Sequence, residues 1–126
     1  MKLHQQYHFR DSEEGLLAWD VLKLIKLSAN FEIIQVPVSE IRELNETYWY
    51  GLNDRPTCEG VAKHVKQIYE ADLCCPIILC SEGRVMDGMH RVCKAFIEGR
   101  KTISAVRFSE PLEPDHIGKQ PDELPY

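Results

Sequence analysis

The sequence predicts one compact α+β domain, of the mixed α/β kind, in which a small mixed sheet is flanked by helices. Three observations support this fold class. The chain of 126 residues has a usual length for a single domain that buries its own core. Its hydrophobic fraction of 44% and charged fraction of 28% are ordinary for a globular protein. Short β-rich runs alternate along the chain with segments in which apolar residues recur at helical spacing.

The first predicted element is a helix over residues 13–28, where apolar residues recur at helical spacing. Asp11 or Ser12 would cap the start of this helix. We therefore expect an N-terminal helical extension over residues 11–30, ahead of the main part of the domain. The first stretch, 1–15, has no apolar core segment and is not expected to be a secretory signal.

A strand and a short helix are predicted next. Residues 31–38 are rich in β-forming side chains, and Pro37 places the end of this strand near an edge or a bend. Ser39 can cap a short helix over residues 40–44. Residues 45–56 combine aromatic side chains with turn formers, so we expect an ordered loop there.

The second half of the chain carries clearer boundary signals. Thr57 can cap a helix that runs through Glu70, and Gly99 stands where a left-handed residue would end a later helix. The other predicted elements are a strand over 76–80, a turn at Glu82-Gly83, a strand over 84–86, a helix over 89–98 and a strand over 102–108. The side chains expected to point inward are Val61, Val65, Ile68 and Tyr69 on the first helix, and Val92, Ala95 and Phe96 on the second.

Residues 110–126 form an acidic, proline-rich tail after the domain at 1–109. Four of the seven prolines and −4 of the net charge of −5 fall in this tail. Because it has no core of its own, we expect it either to wrap the domain in an extended form or to be mobile. The near-neutral remainder gives no support to binding of a nucleic-acid backbone. No window holds the about 18 apolar residues that a membrane span requires.

The five cysteines indicate a reducing compartment. Their number is odd, the adjacent Cys74 and Cys75 do not meet disulfide geometry without distortion, and no spacing fits a zinc site. We expect reduced cysteines that act as small core side chains, and a cytoplasmic location. The cysteines are Cys58, Cys74, Cys75, Cys80 and Cys93.

The chemistry-bearing residues concentrate at the predicted turn over residues 87–91, where a strand ends and a helix begins. The first turn of a helix has unpaired N–H groups and a partial positive charge, which attract anions. Gly88 would let a phosphate approach the backbone. Arg91 would offer a planar fork to the phosphate, and His90 a second donor. Asp87 would bind magnesium or a hydroxyl of a sugar or substrate.

Each residue of this turn also has an ordinary structural interpretation. Asp followed by Gly is favourable turn chemistry in many proteins. Arg91 could form a salt bridge at the surface, and His90 could simply pack with its hydrogen bonds satisfied. A short motif of this kind is weak evidence by itself.

Residues 80–100, followed by 103–108, resemble the nucleotide-binding hairpin, helix and strand of the ParB/sulfiredoxin superfamily. The segment Ala-Asp-Leu-Cys-Cys-Pro-Ile-Ile-Leu at 71–79 is similar to the entry into that hairpin, and Val-Pro-Val-Ser-Glu-Ile at 36–41 to the opening strand and helix. The resemblance covers residues 32–108. It implies a ParB/sulfiredoxin-like fold with a nucleotide at the turn.

The branches of this superfamily differ at the turn itself. Sulfiredoxins have a nucleophilic cysteine where this chain has Met89, and a thioether is not a comparable nucleophile. ParB proper continues into a helix-turn-helix region, which does not follow here, so neither activity is expected. The turn is most similar to the Asp-Gly-His-His-Arg of free-serine kinases, and only Met89 departs from that pattern.

The resemblance implies a nucleotide (ATP, ADP or CTP), Mg²⁺ at Asp87 and a small hydroxyl-bearing substrate. The nucleotide-binding residues it implies are Gly88, Met89, His90 and Arg91, with Arg55 as an extra phosphate contact. A glutamate upstream of the turn would act as general base. The candidates are Glu40, Glu43 and Glu46. We favour Glu46, at the end of the short helix; the alternative is that all three form a solvated helix face.

Three functions from different classes stay open. The first is a small-molecule phosphotransferase or nucleotide hydrolase with Glu46, Glu43 and Asp87 as catalytic residues. The second is a non-catalytic nucleotide-binding module for regulation or interaction, in which a homodimer could form. DNA binding or nuclease activity ranks last. Tyr48, Trp49 and Tyr50 would stack a nucleobase or anchor their loop, whereas Lys63, His64 and Lys66 are expected to face solvent and Trp19 to pack.

Overall fold

The structure, a computed structural model, describes residues 6–51 and 54–126. These residues form two sheets, three α-helices and three short 3-10 helices. The strands are β1 (Tyr7–Arg10), β2 (Leu17–Asp20), β3 (Ile34–Pro37), β4 (Ile77–Leu79), β5 (Val85–Asp87), β6 (Thr102–Arg107) and β7 (His116–Ile117). The α-helices are α1 (Val21–Leu27), α2 (Cys58–Glu70) and α3 (Met89–Ile97), and the 3-10 helices are Val38–Glu40, Arg42–Asn45 and Pro121–Glu123.

The central sheet has the strand order β3-β6-β4-β5 and is mixed. β4 runs parallel to β6, whereas β3 pairs with β6 and β5 with β4 in the antiparallel sense. Because side chains alternate along a strand, both faces of this sheet contribute to the core. Toward α3 it presents Ile77, Leu79, Val85, Ile103 and Ala105. Toward Trp19 and Leu24 it presents Ile78, Cys80, Met86, Val106 and Phe108. The predicted α+β class with a mixed sheet flanked by helices is confirmed.

The N-terminal region differs from the helix predicted over 13–28. β1 and β2 form an antiparallel hairpin, and the helix begins only at Val21. The side chain of Asp20 caps it by accepting from the backbone N–H groups of Leu22 (3.0 Å) and Lys23 (3.4 Å). Gly15, with φ of +105°, lies in the hairpin loop and breaks the helical pattern. The predicted helical extension over 11–30 is therefore wrong for its first half.

The tail lies along this hairpin in extended form. β7 pairs with β2, so the tail completes a three-stranded sheet of order β1-β2-β7. Asp115 accepts from the backbone N–H of Asp20 at 2.9 Å, and the indole N–H of Trp19 donates to the carbonyl of Leu112 at 3.0 Å. Leu124 is buried. Of the two arrangements expected for the tail, the extended one is found.

The helix predicted from Thr57 to Glu70 is confirmed, and the Thr57 hydroxyl accepts from the backbone N–H of Gly60 at 3.0 Å. Its burial was predicted wrongly, since α2 has no buried residue, and Phe96 at the end of α3 is also exposed. The residues expected inside but found exposed are Val61, Val65, Tyr69 and Phe96, together with Cys58, Cys74 and Cys75. No disulfide forms among the described cysteines. The short helix predicted over 40–44 is replaced by two 3-10 helices.

None of the helices within 6–51 and 54–126 is both long enough and apolar enough to cross a lipid bilayer. The longest of them, α2, has 13 residues, whereas a spanning helix needs about 20 apolar residues.

Replacement of Gly88 by alanine tests the tightest turn of the domain. Gly88 has φ of +105°, and a Cβ there would lie 2.6 Å from Cγ2 of Ile77 and 2.9 Å from Nη2 of Arg91. We expect Gly88→Ala to lower the free energy of unfolding by about 3 kcal/mol, because backbone strain and steric overlap add. Gly99→Ala is the matched control, since φ is +71° but nothing lies within 4 Å; it should cost about 1 kcal/mol. Urea denaturation measures both, and equal losses would contradict the steric account.

Candidate functional site

A cleft of about 1030 Å³ opens between the N-terminal hairpin and the start of α3. Its walls come from β1, from the segment over 43–51 and from the junction of β5 with α3. The charged and aromatic residues among its walls are Tyr7, His8, Phe9, Arg10, Asp11, Glu43, Glu46, Tyr48, Trp49, Tyr50, Asp54, Arg84, Asp87 and His90. Four residues of the predicted turn, 87–90, therefore line this concave surface.

The turn itself has the predicted backbone. β5 ends at Asp87, Gly88 adopts a left-handed conformation, and α3 begins at Met89. No side chain caps the first turn of α3. Met89 is 5% exposed and packs in the core below α3, so it offers its backbone N–H rather than its thioether. The first turn of α3 has the geometry that binds anions in other proteins.

Arg91 is placed differently from the expected phosphate fork. Its Nη2 lies 2.9 Å from Oδ2 of Asp87, and its Nη1 donates to the carbonyls of Pro76 at 2.9 Å and Cys75 at 3.1 Å. The guanidinium lies against Gly88, within about 3 Å of where a Cβ would stand. Arg91 thus braces the turn, as in its structural interpretation, and Asp87 is its ion-pair partner.

His90 contacts a residue that the sequence did not single out for the site. Its Nε2 lies 2.9 Å from Nδ1 of His64 on α2, and both rings stack on Trp49. Burial, followed by the neighbouring His64 and Arg91, lowers the pKa of His90 to about 4. Burial also lowers the pKa of His64. His64 was expected to face solvent. It lies four residues before Ile68 and therefore on the same face of α2, which is the face nearest α3. This spacing was the sequence signal that could have placed His64 near the site.

The three candidate glutamates lie in different surroundings. Glu43 is 2% exposed, and its Oε2 accepts from the backbone N–H of Val85 at 2.8 Å and lies 3.5 Å from Nε of Arg84. Its Oε1 is buried without a hydrogen-bond partner. Glu46, the favoured candidate, forms an ion pair with Nη2 of Arg84, and Glu40 is exposed. Among the three glutamates, Glu43 is therefore the one with a buried oxygen that has no hydrogen-bond partner.

Arg84 was missed as a site residue, and Arg55 was chosen instead. Arg84 neutralises both Glu43 and Glu46 at the cleft wall, and these carboxylates raise its pKa, Glu46 through a hydrogen bond. Arg55 is exposed and lies outside the cleft walls. Arg84 follows Gly83 in a hairpin turn. Nothing in that local sequence indicates that its side chain would reach Glu43 and Glu46.

A partly buried hydrogen-bond chain joins β1 to β5 at the base of the cleft. Nε of Arg10 donates to Nε2 of His8 at 2.9 Å, so the His8 proton belongs on Nδ1, 3.3 Å from the Tyr48 hydroxyl. That hydroxyl donates to the carbonyl of Val85 at 3.3 Å. Burial, then Arg10 and Arg84, lower the pKa of His8 to about 3. Tyr48 thus anchors its loop, one of the two roles expected for it.

The guanidinium of Arg10 lies beside Cys80 and Trp19, and one of its nitrogens has no hydrogen-bond partner. Its guanidinium carbon lies 5.4 Å from the ring centroid of Trp19, and its Nη2 is buried without a hydrogen-bond partner. The hydroxyl of Tyr50 is buried in the same way. Unpaired buried polar groups are costly in a stable fold, and a bound water, ion or ligand would complete their hydrogen bonding.

The residues at the turn give little support to the magnesium site predicted at Asp87. One of its oxygens is bound to Arg91. No group of three or more His, Cys, Asp or Glu side chains gathers around a common point in residues 6–51 and 54–126. The magnesium site stays a prediction from the resemblance.

Comparison with known proteins gives no relative for this chain: no family model, no curated protein and no solved structure matches it significantly. The function must therefore be argued from the residues that line the cleft.

The buried neutral His8 makes the stability of the fold depend on pH. Its pKa is about 3 in the folded chain and near the ordinary 6.5 in the unfolded chain. Between these values the unfolded chain binds a proton that the folded chain does not, so stability falls as the pH drops below about 6.5. The loss from His8 is about 1.4 kcal/mol per pH unit.

The test is the free energy of unfolding as a function of pH, measured for the wild type and for His8→Gln. His64 and His90 contribute to both curves, so the difference in slope isolates His8. We expect the variant to be less stable near neutral pH. We also expect its free energy of unfolding to fall less steeply with falling pH, by the contribution of one proton. Parallel curves would show that His8 is protonated in the folded chain.

Proposed function

We propose that this chain is a ParB/sulfiredoxin-like nucleotide-binding protein that transfers a phosphoryl group to a small hydroxyl-bearing acceptor. The observation that carries the proposal is the buried Glu43, whose Oε1 has no partner at the wall of the same cleft as the first turn of α3. An anion-binding backbone and a carboxylate with a free oxygen are the two groups that such a transfer needs.

The spacing of these two groups suits a small acceptor. Glu43 is bonded to the backbone of Val85, and Gly88 lies three positions after Val85 along an extended chain. At about 3.3 Å per residue, this distance is about 10 Å. A terminal phosphate at the start of α3 and one hydroxyl-bearing molecule beside Glu43 fit within it.

The arginines in and beside the cleft have two different roles: some support the fold, and one binds the ligand. Arg91 and Arg84 are held by carboxylates, so they position the turn and the base. Arg10 has an unused Nη2 donor, and it supplies the positive charge available to a phosphate. The backbone N–H groups of α3 take the place that the resemblance implied for the Arg91 fork.

In the proposed reaction, the acceptor hydroxyl gives its proton to Oε1 of Glu43. Its oxygen forms a bond to the terminal phosphorus, while the bond from that phosphorus to the bridging oxygen of the nucleotide breaks. The electron pair of the broken bond stays on the bridging oxygen, which leaves with the rest of the nucleotide. Water in the acceptor position gives hydrolysis by the same steps, and no step is assigned to a metal ion.

A non-catalytic regulatory module is the second candidate. It is favoured by the exposed apolar side chains of α2, which a partner could cover. A homodimer and a cytoplasmic location stay predictions. The cleft does not favour DNA, since Asp11, Glu43, Glu46, Asp54 and Asp87 all line it.

Nucleotide binding and turnover are tested with one pair of variants. ATP, ADP, CTP and GTP are screened for a rise in melting temperature, because a ligand that binds the folded chain stabilises it by about 2.7 kcal/mol at 100 times its Kd. We expect at least one to stabilise the wild type. Glu43→Gln should lower turnover about 100-fold or more and leave nucleotide affinity within about twofold. Glu46→Gln is the matched control and should keep both.

The outcomes separate the candidates. Stabilisation by nucleotide without turnover in the wild type would favour the regulatory module. Loss of turnover in Glu46→Gln but not in Glu43→Gln would assign the base to the residue favoured from the sequence. No stabilisation by any nucleotide would contradict nucleotide binding altogether.

A further inference from the structure

Two imidazole rings lie side by side on one face of Trp49. The ring centroid of His64 is 4.2 Å from that of the indole and the centroid of His90 is 4.5 Å from it, each at an interplanar angle of 18°. Rings on opposite faces would be separated by nearly the sum of these distances. The two imidazole centroids are only 5.1 Å apart, at 21°, so both rings stack on the same face and meet edge to edge.

The edge-to-edge contact holds one proton. Nδ1 of His64 lies 2.9 Å from Nε2 of His90, a hydrogen-bond distance that requires one nitrogen to donate and the other to accept. If both rings were positively charged, both of these nitrogens would carry a proton, and two N–H groups would face each other within that distance. The pair can therefore be neutral or carry one positive charge, and in the charged form the proton is shared.

The surroundings keep the pair neutral in the ligand-free chain. Burial lowers the pKa of both rings, and Arg91 lowers that of His90 further. Besides the two histidines, the charged and titratable residues on the elements around the pair are Cys58, Glu59, Lys63, Lys66, Tyr69 and Glu70 of α2, Arg91, Cys93 and Lys94 of α3, Glu46, Tyr48, Tyr50 and Asp54 of the loop, and Asp87 of β5. Asp87 is paired with Arg91, and Lys94 donates to the carbonyls of Tyr69 and Ala71.

His90 connects the pair to the cleft. It is the second residue of α3, so its backbone N–H belongs to the first turn, and the residue lines the cleft. His64 lies on α2, beyond the cleft walls. A charge placed at the start of α3 acts directly on the ring of His90, and the hydrogen bond passes the effect to His64.

We propose that binding of a dianionic phosphate at the first turn of α3 makes the His64–His90 pair take up one proton, shared between the two rings over the face of Trp49. The inference rests on the proposed function and names a regulation of the same site. The anion favours the charged form of the nearby imidazole, the acceptor on His64 makes the hydrogen bond charge-assisted, and the indole face attracts a cation.

A thermodynamic consequence follows from this coupling. If the bound anion raises the proton affinity of the pair, protonation of the pair raises the affinity for the anion by the same factor. Anion affinity therefore increases as the pH falls, by up to tenfold per pH unit between the pKa of the pair with and without anion. A phosphodiester carries one negative charge, half that of a dianionic terminal phosphate. The coupling therefore favours binding of a terminal phosphate over a diester.

The probe that tests the coupling is sulfate, which stays a dianion throughout the range in which the histidine pair titrates, including the lowered range of His90. Imidazole ¹⁵N shifts of the wild-type chain are followed against pH in sulfate and in chloride at matched ionic strength. We expect sulfate to raise the midpoint of the imidazole titration by about one pKa unit. This rise corresponds to a tenfold effect of protonation on the affinity for sulfate. Both rings should show the same midpoint, because they share the proton.

The backbone amide shifts of residues 89–91, recorded in the same samples, separate the two levels of the proposal. Amide shifts without any change in the imidazole midpoints would overturn the proton coupling and leave the anion site standing. Unchanged amides and unchanged imidazoles would overturn both. Two different midpoints for the rings would show that they do not share a proton, which also overturns the coupling.

His64→Phe keeps a ring on Trp49 and removes the proton acceptor. In this variant we expect sulfate to bind, with an affinity that changes less with pH than in the wild type. His116→Phe is the matched control, since His116 lies on β7 outside the cleft walls; it should keep the wild-type pH dependence. A full pH dependence in His64→Phe would contradict the shared proton. The wild-type spectra decide the question if the variant fails to fold.

Discussion

The architecture of the cleft depends on the contact between the guanidinium of Arg91 and the backbone of Gly88. The guanidinium bonds to Asp87 at the end of β5 and to the carbonyls of Cys75 and Pro76, just before β4. It thereby fixes two neighbouring strands and the start of α3 in one geometry. The arrangement requires glycine at position 88, since Arg91 and Ile77 occupy the space of a Cβ. The sequence predicts that Arg91 binds a ligand, but in the fold its guanidinium stabilises the turn.

Around this braced turn, the site is assembled from parts of the chain that are distant in sequence. The hairpin supplies His8 and Arg10, the 3-10 region supplies Glu43, and α2 supplies His64. His8 pairs with Arg10, His64 pairs with His90, and Oε2 of Glu43 accepts from the backbone N–H of Val85. The unpaired Oε1 of Glu43 and Nη2 of Arg10 are an acceptor and a donor without partners. A bound molecule that meets both would relieve the cost of burying them.

The elements that could be predicted are those with local signals. The Thr57 cap, the strands around Gly83 and the strand–glycine–helix turn follow from side chains next to one another in sequence. The N-terminal region could not be read in this way, since apolar residues at 17, 21 and 24 fit a helix and also a strand followed by a helix. What decides between them is the pairing of β2 with the tail, about a hundred residues away.

The same limit applies to the site. The turn over 87–91 could be located from sequence, but the choice among the glutamates depends on burial by the folded core, which favours Glu43 over Glu46. The most direct test of the account is a crystal structure with ADP. We predict the terminal phosphate within hydrogen-bond distance of the backbone N–H groups of residues 89–91. ADP bound elsewhere, or that corner of the cleft empty at saturating ADP, would contradict the account.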